Sequence, residues 1–208
     1  LTQGMKVKFA DEEDDHPDYP GQYGAAGWTK DDQLFLAYDR YDIWAFDPQN
    51  KKAPLNLTKT GRQEKIVFRY VRLDNEERLI DSDKEMLLSG FNETTKAAGY
   101  YKLSLKDGKL TKLLMDNYRF GGTIKAKLAN QVLYTRESFR EFPDVWTADL
   151  NFTSQKKISD ANPQMKNYFW GSVELVQWTS LDNIPLSGLL YKPEGFDPKK
   201  KYPMIVYF

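Results

Sequence analysis

The stretch Asp42-Ile-Trp-Ala-Phe-Asp47 returns later in the chain as Asp144-Val-Trp-Thr-Ala-Asp149, and the surroundings return with it. Leu34-Phe-Leu-Ala-Tyr38 precedes the first copy and Leu57-Thr58 follows it. Val132-Leu-Tyr-Thr-Arg136 precedes the second and Ile158-Ser159 follows. A looser unit lies between them: Met86-Leu-Leu-Ser-Gly90, Gly99-Tyr-Tyr-Lys-Leu-Ser104 and Leu113-Leu114. Each unit holds three β-like runs, and the middle run carries Trp44, Tyr101 or Trp146. Aromatic and β-branched runs of this length favour half-buried strands. The units are spaced by roughly 45 to 57 residues, within reach of propeller blades of four antiparallel strands. Turn chemistry separates the runs at Asp47-Pro-Gln-Asn50, Lys106-Asp-Gly-Lys109 and Asn151-Phe-Thr-Ser154. Asp107-Gly108 is the strongest of these, because a tight turn uses positive φ and Gly adopts it without steric cost. A β-sandwich also shows short strands at regular spacing, but the repeated order of apolar run, aromatic run and polar mark favours a propeller. Arg72 to Lys84 is charged without a 3.6-residue period, so it is expected to form a loop between blades.

Composition fits a folded, β-rich body. Among 208 residues, 40% are hydrophobic and 14% aromatic, including 13 Tyr and 12 Phe, the sheet-favouring part of the alphabet. The 30 basic and 30 acidic side chains cancel, which removes the electrostatic ground for a nucleic-acid partner. The absence of Cys excludes disulfides, thiolate catalysis and Cys-ligated zinc. No apolar run reaches the length of a membrane-spanning helix.

The final residues point to a second unit. Val173 to Ser180 and Leu186 to Tyr191 are expected to pair as antiparallel strands, turning at Asp182-Asn183, because Asp and Asn tolerate turn conformations. They should leave the propeller sheets and lead to Met204-Ile-Val-Tyr-Phe208, an apolar run of the kind found in strands covered on both faces. Such a strand calls for further covering elements, so the chain is read as part of a larger protein.

The segments Tyr134-Thr-Arg-Glu-Ser-Phe-Arg-Glu-Phe-Pro-Asp-Val-Trp146, Val173-Glu-Leu-Val-Gln-Trp-Thr-Ser-Leu-Asp-Asn-Ile-Pro-Leu186 and Tyr191-Lys-Pro-Glu-Gly-Phe-Asp-Pro-Lys-Lys-Lys-Tyr-Pro-Met-Ile-Val-Tyr-Phe208 together resemble the prolyl oligopeptidase family of serine peptidases. Within it they are most similar to bacterial dipeptidyl-peptidase and acylaminoacyl-peptidase types. The resemblance implies an all-β partial propeller of about three antiparallel blades over residues 1–172. The opening strands of a truncated α/β-hydrolase domain would follow over 173–208. It also implies a Ser-His-Asp triad with the Ser in a G-x-S-x-G turn and the His last in order. No G-x-S-x-G occurs here, and the one His, His16, lies far upstream. The resemblance therefore places the triad beyond Phe208 and no catalytic residue within the chain. It implies short peptides as substrates, the hydrolase domain as the propeller's own partner, and no cofactor or metal, since triad and oxyanion hole do the chemistry.

Three charged residues, Glu137, Arg140 and Glu141, precede or flank Pro143 and are candidates to line the chamber between propeller and hydrolase domain. Arg140 could hold a substrate carbonyl or carboxylate with its planar fork, although loop charges of this kind are ordinarily paired or solvated. Asp11-Glu-Glu-Asp-Asp-His16 offers oxygen ligands for a hard cation but lacks the ligand spacing and pivot Gly of a calcium loop, so it reads as a solvated acidic loop. Trp44, Tyr101 and Trp146 are read as core packing rather than stacking platforms. The alternative in another class is a non-enzymatic propeller scaffold, which lacks the usual G-H and W-D signature. A sugar-acting propeller lacks an assignable pair of carboxylates.

Overall fold

The computed structural model describes residues 1–207, the side chain of Asp31 apart. Three four-stranded antiparallel sheets follow one another, each with its strands in sequence order. The first holds β1 (Ala25–Trp28), β2 (Phe35–Tyr38), β3 (Ile43–Phe46) and β4 (Leu55–Asn56). The second holds β5 (Ile66–Tyr70), β6 (Glu85–Asn92), β7 (Ala98–Ser104) and β8 (Leu110–Asp116). The third holds β9 (Arg119–Lys125), β10 (Gln131–Ser138), β11 (Glu141–Asp149) and β12 (Lys156–Lys157). These are the blades that the repeat predicts, and Trp44, Tyr101 and Trp146 each stand on the third strand, opposite Ala37, Leu88 and Tyr134. Each unit gains a strand the repeat did not mark, at its start. In β1 and β9 the pattern is diluted by Gly27, Gly121 and Gly122, whereas Ile66-Val-Phe-Arg-Tyr70 is a clear β-run that lies outside the three repeated marks.

The middle blade is buried on both faces. Met86, Leu88, Tyr101 and Leu103 join Leu36 and Ile43 of the first blade in one core. Leu87 and Tyr100 point the other way, into a core with Val132, Tyr134, Ala148 and Phe152. Strand side chains alternate between faces, so a strand between two cores must be apolar at consecutive positions, which explains Met86-Leu-Leu88. Aromatic contacts support both cores: Phe68 meets Tyr101 edge-on at 4.9 Å within the second blade, and Tyr100 stacks on Phe152, which follows β11, at 4.3 Å across to the third.

The repeated Asp and Ser/Thr marks form one recurring hydrogen-bond device. In the first blade, Thr58 Oγ1 donates to Asp42 Oδ1 at 2.5 Å and accepts from the Ile43 amide at 3.1 Å, while the Gly61 amide donates to Asp42 at 2.9 Å. In the third, Ser159 Oγ donates to Asp144 and accepts from the Val145 amide at 2.8 Å, and the Ala161 amide donates to Asp144 at 2.8 Å. A buried carboxylate thus pins the residues after the outermost strand back to the start of the third, which satisfies otherwise buried amides. The middle blade has Gly99 at the equivalent place, where a Cβ would lie 1.9 Å from the Leu114 carbonyl oxygen.

Two expectations are corrected. Arg72 to Lys84 is a loop, but it joins β5 to β6 within the second sheet and does not separate two blades. Ile80, 3% exposed, carries it into the first core, and backbone bonds from Ile80 to Trp28 and from Lys30 to Ile80 lace the first blade to the second. Residues 204–207 form no strand: Ile205 is 96% and Tyr207 99% exposed, and Phe208 lies outside the described residues. A strand is defined by its ladder partner, and β-propensity alone does not supply one.

The expected antiparallel pair is present as β13 (Ser172–Thr179) and β14 (Pro185–Lys192), in a two-stranded sheet of its own. Its turn contains Asn183 at φ +60°. The described helices are Gly61–Glu64 and the 3₁₀ turns Lys30–Asp32 and Pro163–Asn167, and no described helix is long and apolar enough to cross a membrane.

Candidate functional site

Strand direction sorts the loops into two ends, and the hairpin β13–β14 lies at one of them. Trp178 and Leu186 share a cleft with Glu93 and Thr94 of the β6–β7 turn. Phe139, in the β10–β11 turn, packs against Tyr191 at 5.4 Å and Trp170 at 6.4 Å. The three charged residues singled out in the sequence, Glu137, Arg140 and Glu141, are at this same end. Their roles differ. Glu137 accepts from Arg119 at 2.6 Å across β9–β10. Arg140 donates to Glu194 at 3.3 Å, and the same carboxylate accepts from the Gly171 amide at 3.1 Å, so Arg140 fastens the segments flanking the hairpin to the third blade. Glu141 accepts from Arg136 at 2.8 Å and from the Tyr118 hydroxyl at 2.9 Å. The second bond, then burial, pushes the Tyr118 phenol up.

Arg140 and Glu141, but not Glu137, line a cleft of about 570 Å³ between the outer strands of the third blade and the Pro163–Asn167 turn. The residue that organises this cleft is Arg136, which the sequence did not single out. Its guanidinium carbon lies 3.8 Å from the Trp146 ring centre and 4.1 Å from that of Tyr118. Both rings are thus within cation–π distance of the one guanidinium. A cation against two π faces is held both electrostatically and by shape. Trp146 is therefore half core and half stacking surface, a partial departure from the core-only reading. Its signal in the sequence, Arg136 and Trp146 as diagonal neighbours on adjacent strands, becomes visible only once the β10–β11 register pairs Tyr134 with Trp146 and Arg136 with Asp144.

Directly across the β10–β11 ladder from Arg136, Asp144 is held by Lys157 at 2.6 Å as well as by Ser159 and Ala161. Burial pushes its carboxyl up, and these three donors outweigh burial and bring it down to about 2. Asp144 is thus spent on the repeat device and stays ionised. Lys166 lines the cleft with no carboxylate within ion-pair distance among the described residues.

Elsewhere at the same end, the acidic loop is less solvated than its composition implies. Glu12 grips Arg62 through both carboxylate oxygens, at 2.7 and 3.1 Å, and Glu13 pairs with Arg40. Arg40 also holds Glu93 at 3.0 Å, and Glu93 accepts from the Tyr41 hydroxyl at 2.7 Å. Burial, then that bond, pushes the Tyr41 phenol up to about 12. Together with Phe9, which packs on Phe46 at 5.4 Å, these pairs strap the N-terminal segment over the outer face of the first blade. Asp14, Asp15 and His16 form an exposed group in which Asp14 bonds the imidazole at 2.8 Å. No hydroxyl bonds to His16 among the described residues, so the chain presents no nucleophile and base pair there.

No protein-family model matches the sequence, and no curated protein matches it. Solved structures do. The isopeptidase AtxE2 shares 12% identity with a TM-score of 0.56, over 82% of this chain and 26% of that one. A post-proline cleaving enzyme from Rickettsia typhi shares 15% identity with a TM-score of 0.53, over 86% of this chain and 27% of that one. The chain thus spans about a quarter of the length of these two structures. Likeness at this identity is likeness of fold: antiparallel blades stacked face to face.

Proposed function

We propose that this chain is the propeller part of a serine peptidase of the prolyl oligopeptidase family, with the catalytic triad outside residues 1–208. Its task is to admit and dock short peptides rather than to cleave them. On this reading residues 1–172 are propeller and β13–β14 opens the hydrolase unit. The observation that carries it is the departure of β13–β14 from the blade series, tied to the blade ends by Phe139 and by Arg140 with Glu194. A hairpin so anchored puts the third blade's charged cleft beside the start of the next unit, where a substrate would pass. The blade fold shared with two peptide-bond-cleaving enzymes supports the reading, as does the resemblance of residues 134–208.

The test is hydrolysis of chromogenic Pro- and Ala-containing dipeptides. This chain alone should be inactive, because loss of a triad removes on the order of a million-fold in turnover. A longer product of the same gene should be active and blocked by a serine-directed phosphonate. Labelling of any residue within 1–208 by that phosphonate overturns the assignment.

A further inference from the structure

We propose that the cleft beside the third blade is a carboxylate-binding subsite, in which Arg136 receives the free C-terminal carboxylate of a short peptide and the aromatic wall takes an apolar C-terminal side chain. The carboxylate follows from the geometry of the cleft; that its bearer is a peptide rests on the peptidase reading above.

Arg136 has five N–H donors, and its guanidinium is packed against the rings of Trp146 and Tyr118. With two rings packed against it, recognition falls to the N–H groups that are left. Only Nη2 is spent on an acceptor, Glu141. Nε is buried without an acceptor, as is Nε1 of Trp146, so neither can be reached by a ligand without side-chain movement. Nη1 is different: it donates to no protein group among the described residues and is not among the buried unpaired atoms. It is the open donor, on a residue that lines the cleft. A carboxylate meets Nη1 first and takes the two-pronged Nη1–Nη2 edge, which suits a planar two-oxygen acceptor, by displacing Glu141 from Nη2.

The surroundings suit an acid with an apolar body. Lys166 adds positive charge that no carboxylate of the chain neutralises among the described residues, while Arg140 and Lys157 are already paired. Tyr168 is 67% and Trp170 40% exposed along the same wall, next to Met165 and Phe142. Large aromatic surface left open beside an unspent donor matches the apolar body and convergent polar group of a small-ligand site. Three carboxylates share the lining: Asp144 and Asp160 are paired with Lys157, and Glu141, 43% exposed, holds Arg136 and is the anion that an incoming carboxylate must displace.

The experiment measures tryptophan fluorescence and NMR shifts of this chain titrated with four probes: 3-phenylpropionate, 3-phenylpropionamide, and the tripeptide Gly-Pro-Phe as free acid and as amide. Each acid should bind at least about tenfold tighter than its amide, the scale of a hydrogen bond to a charged group. Arg136→Lys, which keeps the charge but loses the fork, should erase most of that preference. Glu141→Gln keeps an acceptor for Tyr118 and should tighten both acids severalfold, which a damaged fold would not do. Equal binding of acid and amide, or an unchanged preference in folded Arg136→Lys, overturns the subsite. If phenylpropionate behaves as expected and the tripeptide acid binds no better than its amide, the carboxylate site stands and the peptide reading falls.

Discussion

Asp144→Asn tests the repeat device quantitatively, because Asn keeps an acceptor for Ser159 and Ala161 and removes only the charge facing Lys157. The folded carboxyl sits at about 2 against an ordinary 3.8. At about 1.36 kcal/mol per unit, that depression corresponds to ~2.4 kcal/mol of stability. Lys157 is 41% exposed, so solvent screening trims the expected loss to about 1–2 kcal/mol. The sign follows from the depression: the contribution is complete above the unfolded value near 4 and disappears as pH falls through the folded value near 2. Urea unfolding of the parent and variant chains should therefore show a gap of about 1–2 kcal/mol near neutral pH that closes between about pH 4 and 2. A gap that persists unchanged near pH 2, or no gap near neutrality, would refute the claim that an ion pair under the third blade does this.

Thr58→Val, which keeps the shape but leaves the Ile43 amide unbonded and Asp42 short of a donor, should cost about 2–3 kcal/mol in the same assay; a change below half of that would show that water replaces the hydroxyl. Gly99→Ala should prevent folding or cost more than about 3 kcal/mol, since the new methyl meets the Leu114 backbone, and a near-native circular dichroism melt would contradict the close approach. Glu12→Gln should change stability by less than about 1 kcal/mol yet speed proteolysis around residues 11–23, because the pair with Arg62 is partly exposed. The hydrogen bond from Arg62 chiefly depresses the Glu12 carboxyl, so the strap holds above the ordinary value of 4.5 and loosens as pH falls below it. Unchanged cleavage rates in Glu12→Gln, or none of this acid loosening in the parent chain, would remove the strap.

The sequence alone determined the blade repeat and the separate hairpin, because strand periodicity, turn residues and the Asp, aromatic and Ser/Thr marks act over short spans of chain. Asp42 and Thr58 stand in one unit where Asp144 and Ser159 stand in another, a correspondence that the repeat carries, whereas the bond from each hydroxyl to its carboxylate belongs to the fold. Asn183 announced its turn in the same local way. Tertiary structure alone decided the rest. Arg72 to Lys84 proved to be a strap between blades through Ile80, a role set by what it packs against rather than by its charge. The run 204–207 stayed unpaired because β-propensity does not name a partner. Arg136 escaped notice because its environment is assembled from Tyr118, Trp146 and the Pro163–Asn167 turn, groups that only register and blade stacking bring within contact. Local patterns specify elements; a site built from several elements depends on distances that no single stretch of sequence contains.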